Sequence, residues 1–236
     1  MVEGRLRTPD HACMVALEWE VRTTWKYVNT YIRPALKKLG IPFTMIPRKK
    51  YATKDFFGGA EGVTPLLPMY TNRAGGDGGK LSEWCSGEWK RDVCMRWSDE
   101  QPGWKDRGVD NWIGISWDER DRRRAPRRQW FVPIYPLLDW FPKCMGVTAC
   151  LEAVERVGWP EPPRSRCRNC PNQSDDEWAE LTPEEWAMAC EAEDEIRAVD
   201  PHAFFHSSMV PLREVVLKPT GDRSLYSGGC SAGMCF

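Results

Sequence analysis

Cys167 and Cys170 are the residues in this sequence best placed to do chemistry. Two thiolates two residues apart can grip one metal ion or one iron–sulfur cluster, or close a redox disulfide. They lie in Ser165-Arg166-Cys167-Arg168-Asn169-Cys170-Pro171, a loop preceded by Pro160, Pro162 and Pro163. Other cysteines folding onto this loop decide among those chemistries. Cys150 lies on a helical pattern leading into the loop, and Cys85 lies near a helix start. Four thiolates from such separated places suit a 4Fe–4S cluster or a structural zinc. Cys144 competes with Cys150 for the fourth place, and spacing alone also leaves a redox dithiol or plain thiols open. Cys13, Cys94 and Cys190 sit in apolar or helical settings, where a small buried hydrophobe is the expected role. Cys230 and Cys235 are flanked by Gly and Ser in the tail. A thiol there can visit an active site as a nucleophile, complete a zinc site with the C-x-x-C, or remain inert.

A second constellation is cationic. Asn111 to Ser116 reads as a strand that runs into Arg120, Arg122, Arg123, Arg124, Arg127 and Arg128. Guanidiniums at the carboxyl edge of a parallel sheet make a site for phosphate or sulfate. The competing reading is a solvated loop paired with Asp118, Glu119 and Asp121. Lys90 and Arg91 can extend the patch from the helix that carries Cys85. Gly75-Gly76-Asp77-Gly78-Gly79-Lys80 lacks the spacing and the strand-before, helix-after context of a phosphate loop, and is expected to be flexible. His11, His202 and His206 are too scattered to suggest a triad or a histidine metal site.

The elements that must position these residues follow from periodicity. Residues 12 to 18 read as a buried strand and Glu20 to Leu39 as a helix with Val21, Trp25, Val28, Ile32 and Leu36 on one face, kinked or divided by Pro34 and stopped at Gly40. Phe43 to Ile46 is a second strand, so a βαβ unit and a parallel sheet covered by helices are expected. Residues 47–82 are rich in Gly and Pro and read as one long structureless, mobile loop. Helices are expected from Ser82, as N-cap, to Trp97, from Thr148 to Val157, from Asp175 to Leu181 and from Thr182 to Val199. The last has Thr at N-cap, Pro at N1 and acids in its first turn. The expected organisation is an α/β core over 10–140, a cysteine-bearing helical region over 141–200 and a tail over 201–236.

Composition limits the partners. At 236 residues the chain can bury one sizeable core, and a formal net charge of −1 gives no case for bulk nucleic-acid binding. No apolar run reaches the roughly 18 residues of a membrane span, so no membrane partner is expected. The charged first ten residues lack a signal-peptide core, and ten cysteines in such a chain fit a reducing, cytoplasmic setting with metal or catalytic thiols.

Several segments together resemble the phosphoadenosine-phosphosulfate reductase family, within the adenine-nucleotide α-hydrolase-like group, and most of all its reductase-like branch of bacteria and phages. They are Cys85-Ser86-Gly87-Glu88-Trp89-Lys90-Arg91, the strand and turn Trp112 to Arg123, Tyr135-Pro136-Leu137-Leu138 with Asp139-Trp140, the helix with Cys150, and Pro162 to Pro171. Ser174, Glu177-Trp178, the helix ending Asp194-Glu195-Ile196-Arg197 and the Cys230 to Cys235 tail continue the match. The resemblance implies a Rossmann-like or flavodoxin-like parallel sheet with helices on both faces. It implies a 4Fe–4S cluster on Cys85, Cys150, Cys167 and Cys170, with zinc the alternative, beside a site for ATP or adenosine phosphosulfate. Gly114, Ser116, Arg120 and Arg123 become its anion contacts, and Cys230 or Cys235 the thiol nucleophile on sulfur by position. The implied activity is that of a reductase or a sulfurtransferase.

One departure matters. The family opens with a strand and a Ser-Gly-Gly-Lys-Asp-Ser pyrophosphate loop, and this chain starts where the family's second strand would be, with Leu17-Glu18-Trp19-Glu20 replacing that strand's usual acidic-Thr-Gly ending. Such a loop supplies the backbone N–H groups that bind phosphates. The core is therefore expected to be N-terminally truncated, with the missing unit supplied by a separate chain, or the site repurposed. The other expectation is a non-catalytic accessory protein, stapled by zinc or a cluster, that binds nucleic acid or a partner subunit through its arginines.

Overall fold

The first apolar run forms β1 (Ala12–Ala16). The computed structural model describes residues 7–59, 61–73, 78–141 and 145–221. The helix after β1 has three parts: α1 (Arg22–Tyr27), a π-helical turn (Val28–Ile32) and α2 (Arg33–Lys38). Pro34 explains the division. It has no N–H for the carbonyl four residues back, and the backbone widens just before it, Arg33 N–H reaching Val28 O. Gly40 takes a left-handed φ of 69°, which ends the helix at little steric cost. The chain returns as β2 (Phe43–Pro47), parallel to β1 with Val15 opposite Ile46.

Residues 47–82 correct the expectation of a structureless loop. Their described part holds α3 (Arg48–Tyr51), β3 (Phe57–Gly58), β4 (Thr64–Pro65), β5 (Tyr70–Thr71) and β6 (Gly79–Lys80). Tyr51, Phe56, Leu66, Leu67 and Met69 are buried in the main core. Isolated apolar residues between turns give no periodic signal, yet each fills a place against the helices. Arg48 is 2% exposed, bonded to Glu18 and Asp55, with its guanidinium 4.3 Å from the Trp19 ring.

The next helix starts later than expected. Trp84 and Cys85 give their N–H groups to Leu66 O, and a π-helical turn (Gly87–Arg91) runs into α4 (Asp92–Asp99), so Ser82 is not its cap. After α5 (Trp104–Arg107) come β7 (Val109–Trp112), a 3-10 turn (Trp117–Arg122) and β8 (Phe131–Ile134), which lies parallel to β7. Then follow α6 (Pro136–Asp139), α7 (Val147–Arg156), α8 (Asp175–Ala179), α9 (Pro183–Val199) and β9 (Ala203–Phe204). β9 pairs antiparallel with β5, which also pairs with β6.

The architecture is mixed α/β. Among the described residues the strands do not join into one parallel sheet: β1–β2 and β7–β8 are separate parallel pairs. They also adjoin different hydrophobic clusters. The main core runs from Val15 and Leu17 through Trp89, Val93 and Trp97 to Trp178, Ile196, Phe205 and Leu212. The smaller one joins Ile113, Ile115 and Tyr135, with Leu138 against it. No helix among the described residues is long and apolar enough to cross a membrane.

α9 forms as its sequence predicts. Thr182 Oγ1 accepts Glu185 N–H at 3.2 Å, and Glu185 Oε2 accepts Thr182 N–H at 3.1 Å. Glu185 Oε1 also accepts Arg22 N–H at 2.8 Å, so one buried carboxylate serves the first turns of α9 and α1. Thr182→Ala is expected to lower unfolding stability by about 1 kcal/mol, measured by chemical denaturation, because the lost cap leaves one N–H without its partner.

Candidate functional site

The C-x-x-C loop is tied to the segment leaving β1. Glu20 and Cys167 form an antiparallel bridge, with Val21 N–H on Arg166 O at 3.1 Å and Arg168 N–H on Trp19 O at 2.7 Å. Ser165 Oγ donates to Glu20 Oε1 at 2.8 Å. Inside the loop, Cys170 N–H meets Cys167 O at 3.1 Å, closing the turn that brings the two cysteines together. Arg166 is buried and fixes the loop from behind, donating to Gln173 Oε1, Glu177 O and Glu180 Oε2. Gln173 in turn donates to the carbonyls of Arg168 and Cys170. Asn172 donates to Glu83 Oε2 at 3.2 Å, and Lys80 donates to Asn172, which moors the loop beside the helix start that carries Cys85.

Cys85, Cys167 and Cys170 therefore share one electrostatic neighbourhood. Burial pushes the Cys85 thiol well above its ordinary range, and Cys170, Glu83 and Cys167 push it further, while Lys90 pulls it down. Cys85 is thus held as a neutral thiol until a cation compensates it; metal binding at such a site releases a proton. Lys90, expected in the anion patch, is buried and acts on Cys85 and Cys94 instead. Arg91 is committed to Asp92.

The donor set fits a thiolate-held cluster in kind. Three sulfurs are soft ligands for iron or zinc. Asn169, between the two loop cysteines, is 1% exposed, and neither Nδ2 nor Oδ1 has a partner. A buried orphan amide is what an absent neighbour leaves behind, and N–H donors to cluster sulfur tune such centres. The three thiols are neighbours and not a closed cage: among the described residues no three His, Cys, Asp or Glu side chains stand together as a metal site. Cys150 lies elsewhere. Burial raises its thiol, followed by Asp118 and Glu119, and none of the other three cysteines acts on it. Cys144, Cys230 and Cys235 lie outside the described residues.

The arginine constellation belongs to the smaller cluster. Ser116 Oγ is buried without a partner, and Gly114 is exposed. Asp118 accepts Val147 N–H at 2.6 Å, capping α7 one turn before Cys150; a side chain on Gly146 would meet that carboxylate at 2.9 Å. Arg122 pairs with Glu119, Arg123 with Asp139 at 2.9 Å and Arg128 with Asp99. Arg120 stacks over Trp117 at 4.7 Å and, like Arg127, pairs with no carboxylate among the described residues. The two halves of the expected site are thus separate. Of the loop reading's three acids, only Glu119 takes an arginine; Asp139 and Asp99 take others.

One arrangement escaped the sequence. His206 Nε2 meets Asp175 Oδ1 at 2.9 Å, and its Nδ1 meets Ser208 Oγ at 2.8 Å. Ser208 N–H also points at Nδ1, which fixes Nδ1 as acceptor and Nε2–H as donor. Asp175 also accepts Lys218 N–H, so this relay pins residues 206–218 to the start of α8. An open groove of 930 Å³ beside α2 and β2, lined by Arg33, Lys37 and Phe43 among others, contains none of the expected site residues.

No family model matches the chain, and neither a curated protein nor a solved structure matches it significantly.

Proposed function

We propose that the chain is an iron–sulfur protein of the sulfonucleotide reductase or sulfurtransferase kind, with Cys85, Cys167 and Cys170 as ligands. The convergence of a cysteine near residue 85 with the distant C-x-x-C, beside an unpartnered buried amide, carries this reading. The βαβ unit of β1 and β2 supports a Rossmann-like relationship. Cys150, the fourth ligand that the resemblance implies, sits with Asp118 and Glu119 and is left out of the proposed ligand set. A 4Fe–4S cluster bound there would hold the thiolates deprotonated and fix the loop. Lys90 offsets the thiolate charge in this buried setting, and Asn169 offers an N–H to sulfur. Ser116 and Arg120, with Gly114 and Arg123 around them, are the anion contacts for adenosine phosphosulfate or ATP. Cys230 or Cys235 is the thiol that attacks the activated sulfur.

Anaerobic purification followed by iron and acid-labile sulfide analysis tests the proposal. Brown protein with about four iron and four sulfide per chain is expected. Colourless protein holding one zinc overturns it. The second reading, an accessory protein that binds nucleic acid, draws on the exposed Trp117 with the Arg120 guanidinium stacked on it, a pair able to stack on bases. Salt-dependent binding of single-stranded DNA, without calorimetric affinity for adenosine phosphosulfate, selects that reading.

A further inference from the structure

His206 stands where a general base would, between a carboxylate and a hydroxyl. Its Nε2–H donates to Asp175 Oδ1 at 2.9 Å, and its Nδ1 accepts the Ser208 hydroxyl at 2.8 Å. His206 is buried, while Ser207 and Ser208 are exposed. The turn that carries them is held at both ends. Met209 N–H closes it on His206 O at 3.1 Å, and Glu193 grips the chain on either side, at Phe205 N–H and Leu212 N–H. Met209 has a φ of 54°, and among the described residues it alone is left-handed without being glycine. Backbone in that region costs free energy and gathers at functional sites. We propose that Ser208, His206 and Asp175 form a catalytic relay in which Ser208 is an activated nucleophile toward small carboxylic esters.

Ser208 Oγ adds to the ester carbonyl carbon as its proton passes to His206 Nδ1. The C–O bond to the alcohol then breaks, and the proton leaves on that alcohol. Water next gives a proton to Nδ1 and its oxygen to the acyl carbon. The acyl–Oγ bond breaks, a carboxylic acid departs and the proton returns to Ser208, with no oxidation or reduction. Asp175 is a positioning residue. Burial raises its carboxyl, and the hydrogen bonds from His206 and from Lys218 N–H outweigh that and hold it below its ordinary range. Ionised, it keeps the ring proton on Nε2 and leaves the Nδ1 lone pair to face Ser208. The Ser208 N–H, 3.1 Å from Nδ1, favours the same tautomer. This inference does not depend on a cluster being bound.

A fluorophosphonate tests the nucleophile, since Oγ–P forms as P–F breaks and the product stays on the chain. The full chain is treated with it and the modified residues are mapped over time by mass spectrometry. Ser208 is expected to be labelled about 100-fold faster than Ser207, its exposed neighbour, which has no base beside it. His206→Gln is expected to bring Ser208 down to the Ser207 rate. Hydrolysis of p-nitrophenyl acetate is expected to be lost in Ser208→Ala. In Asp175→Asn its kcat is expected to fall with KM unchanged. Equal labelling of Ser207 and Ser208 in the native chain overturns the proposal, and that comparison decides the matter even if a variant fails to fold. So does undiminished labelling of Ser208 in folded His206→Gln.

Discussion

Serine at Cys85, Cys167 or Cys170 is expected to strip the anaerobically purified chain of iron, while serine at Cys150 leaves most of it in place. Replacing a residue that only supports a ligand already costs about 10- to 100-fold in metal affinity, so losing a ligand costs at least that. Cys167 and Cys170 act electrostatically on Cys85, whereas Cys150 sits with Asp118 and Glu119 at the start of α7. Iron content, sulfide content and the visible spectrum of the four variants report the outcome. Full iron in Cys85→Ser removes the basis of the proposed centre. Loss of iron in Cys150→Ser instead makes Cys150 the fourth ligand and requires α7 to approach the loop.

The largest stability loss is expected at Glu193, which is fully buried on α9. Its Oε1 accepts Phe205 N–H at 2.6 Å and its Oε2 accepts Leu212 N–H, so one carboxylate holds the chain after α9 against the core. Glu193→Ala leaves two buried donors without an acceptor, each costing about 1–3 kcal/mol, for a total of about 2–6 kcal/mol. That is a large fraction of the stability of an ordinary domain, about 5–15 kcal/mol. Glu193→Gln keeps one acceptor oxygen and is expected to lose roughly half as much. The pH dependence has a definite sign. Burial raises the Glu193 carboxyl above its ordinary value, against the pull of the two N–H groups. A raised folded-state pKa means that the favourable contribution is complete below the unfolded-state value and is lost as pH rises through the folded-state one. The native-minus-Glu193→Gln difference in guanidinium midpoint should therefore decrease as pH rises from acid to neutral. A Glu193→Ala midpoint equal to the native one would show that the two N–H groups find water instead.

Local signals were readable and long-range ones were not. Thr182-Pro183-Glu184-Glu185 announces α9 because capping is settled within four residues. The β1–helix–β2 unit is readable from periodicity, and Pro34 marks the place where the helix widens. Residues 47–82 mislead because two-residue strands and single buried residues such as Phe56 and Met69 carry no period. At the candidate site the C-x-x-C is visible on its own. The nearness of Cys85 is one grouping among several that the spacing of the cysteines allows. The arginines look like an anion patch because the carboxylates that take Arg123 and Arg128, Asp139 and Asp99, lie outside the basic segment. Lys90 looks like a member of that patch because sequence does not show which way a buried lysine's charge acts. The Asp175–His206–Ser208 relay joins separate segments, which no single stretch of sequence reveals.

The pairing of Cys167 with Glu20 also sets a timetable for the growing chain. Ser165 reaches Glu20 across 145 positions of sequence, so the loop docks only after most of the polypeptide has been made. Contacts of such separation form late, since their closure entropy must be met before they stabilise anything. During synthesis Cys85 emerges well before the C-x-x-C that shares its neighbourhood, and it stays without those companions while the remaining helices are translated. On the proposed reading, metal would be acquired only after the C-x-x-C loop has emerged and docked, and a chain stalled before residue 167 presents Cys85 without its companions.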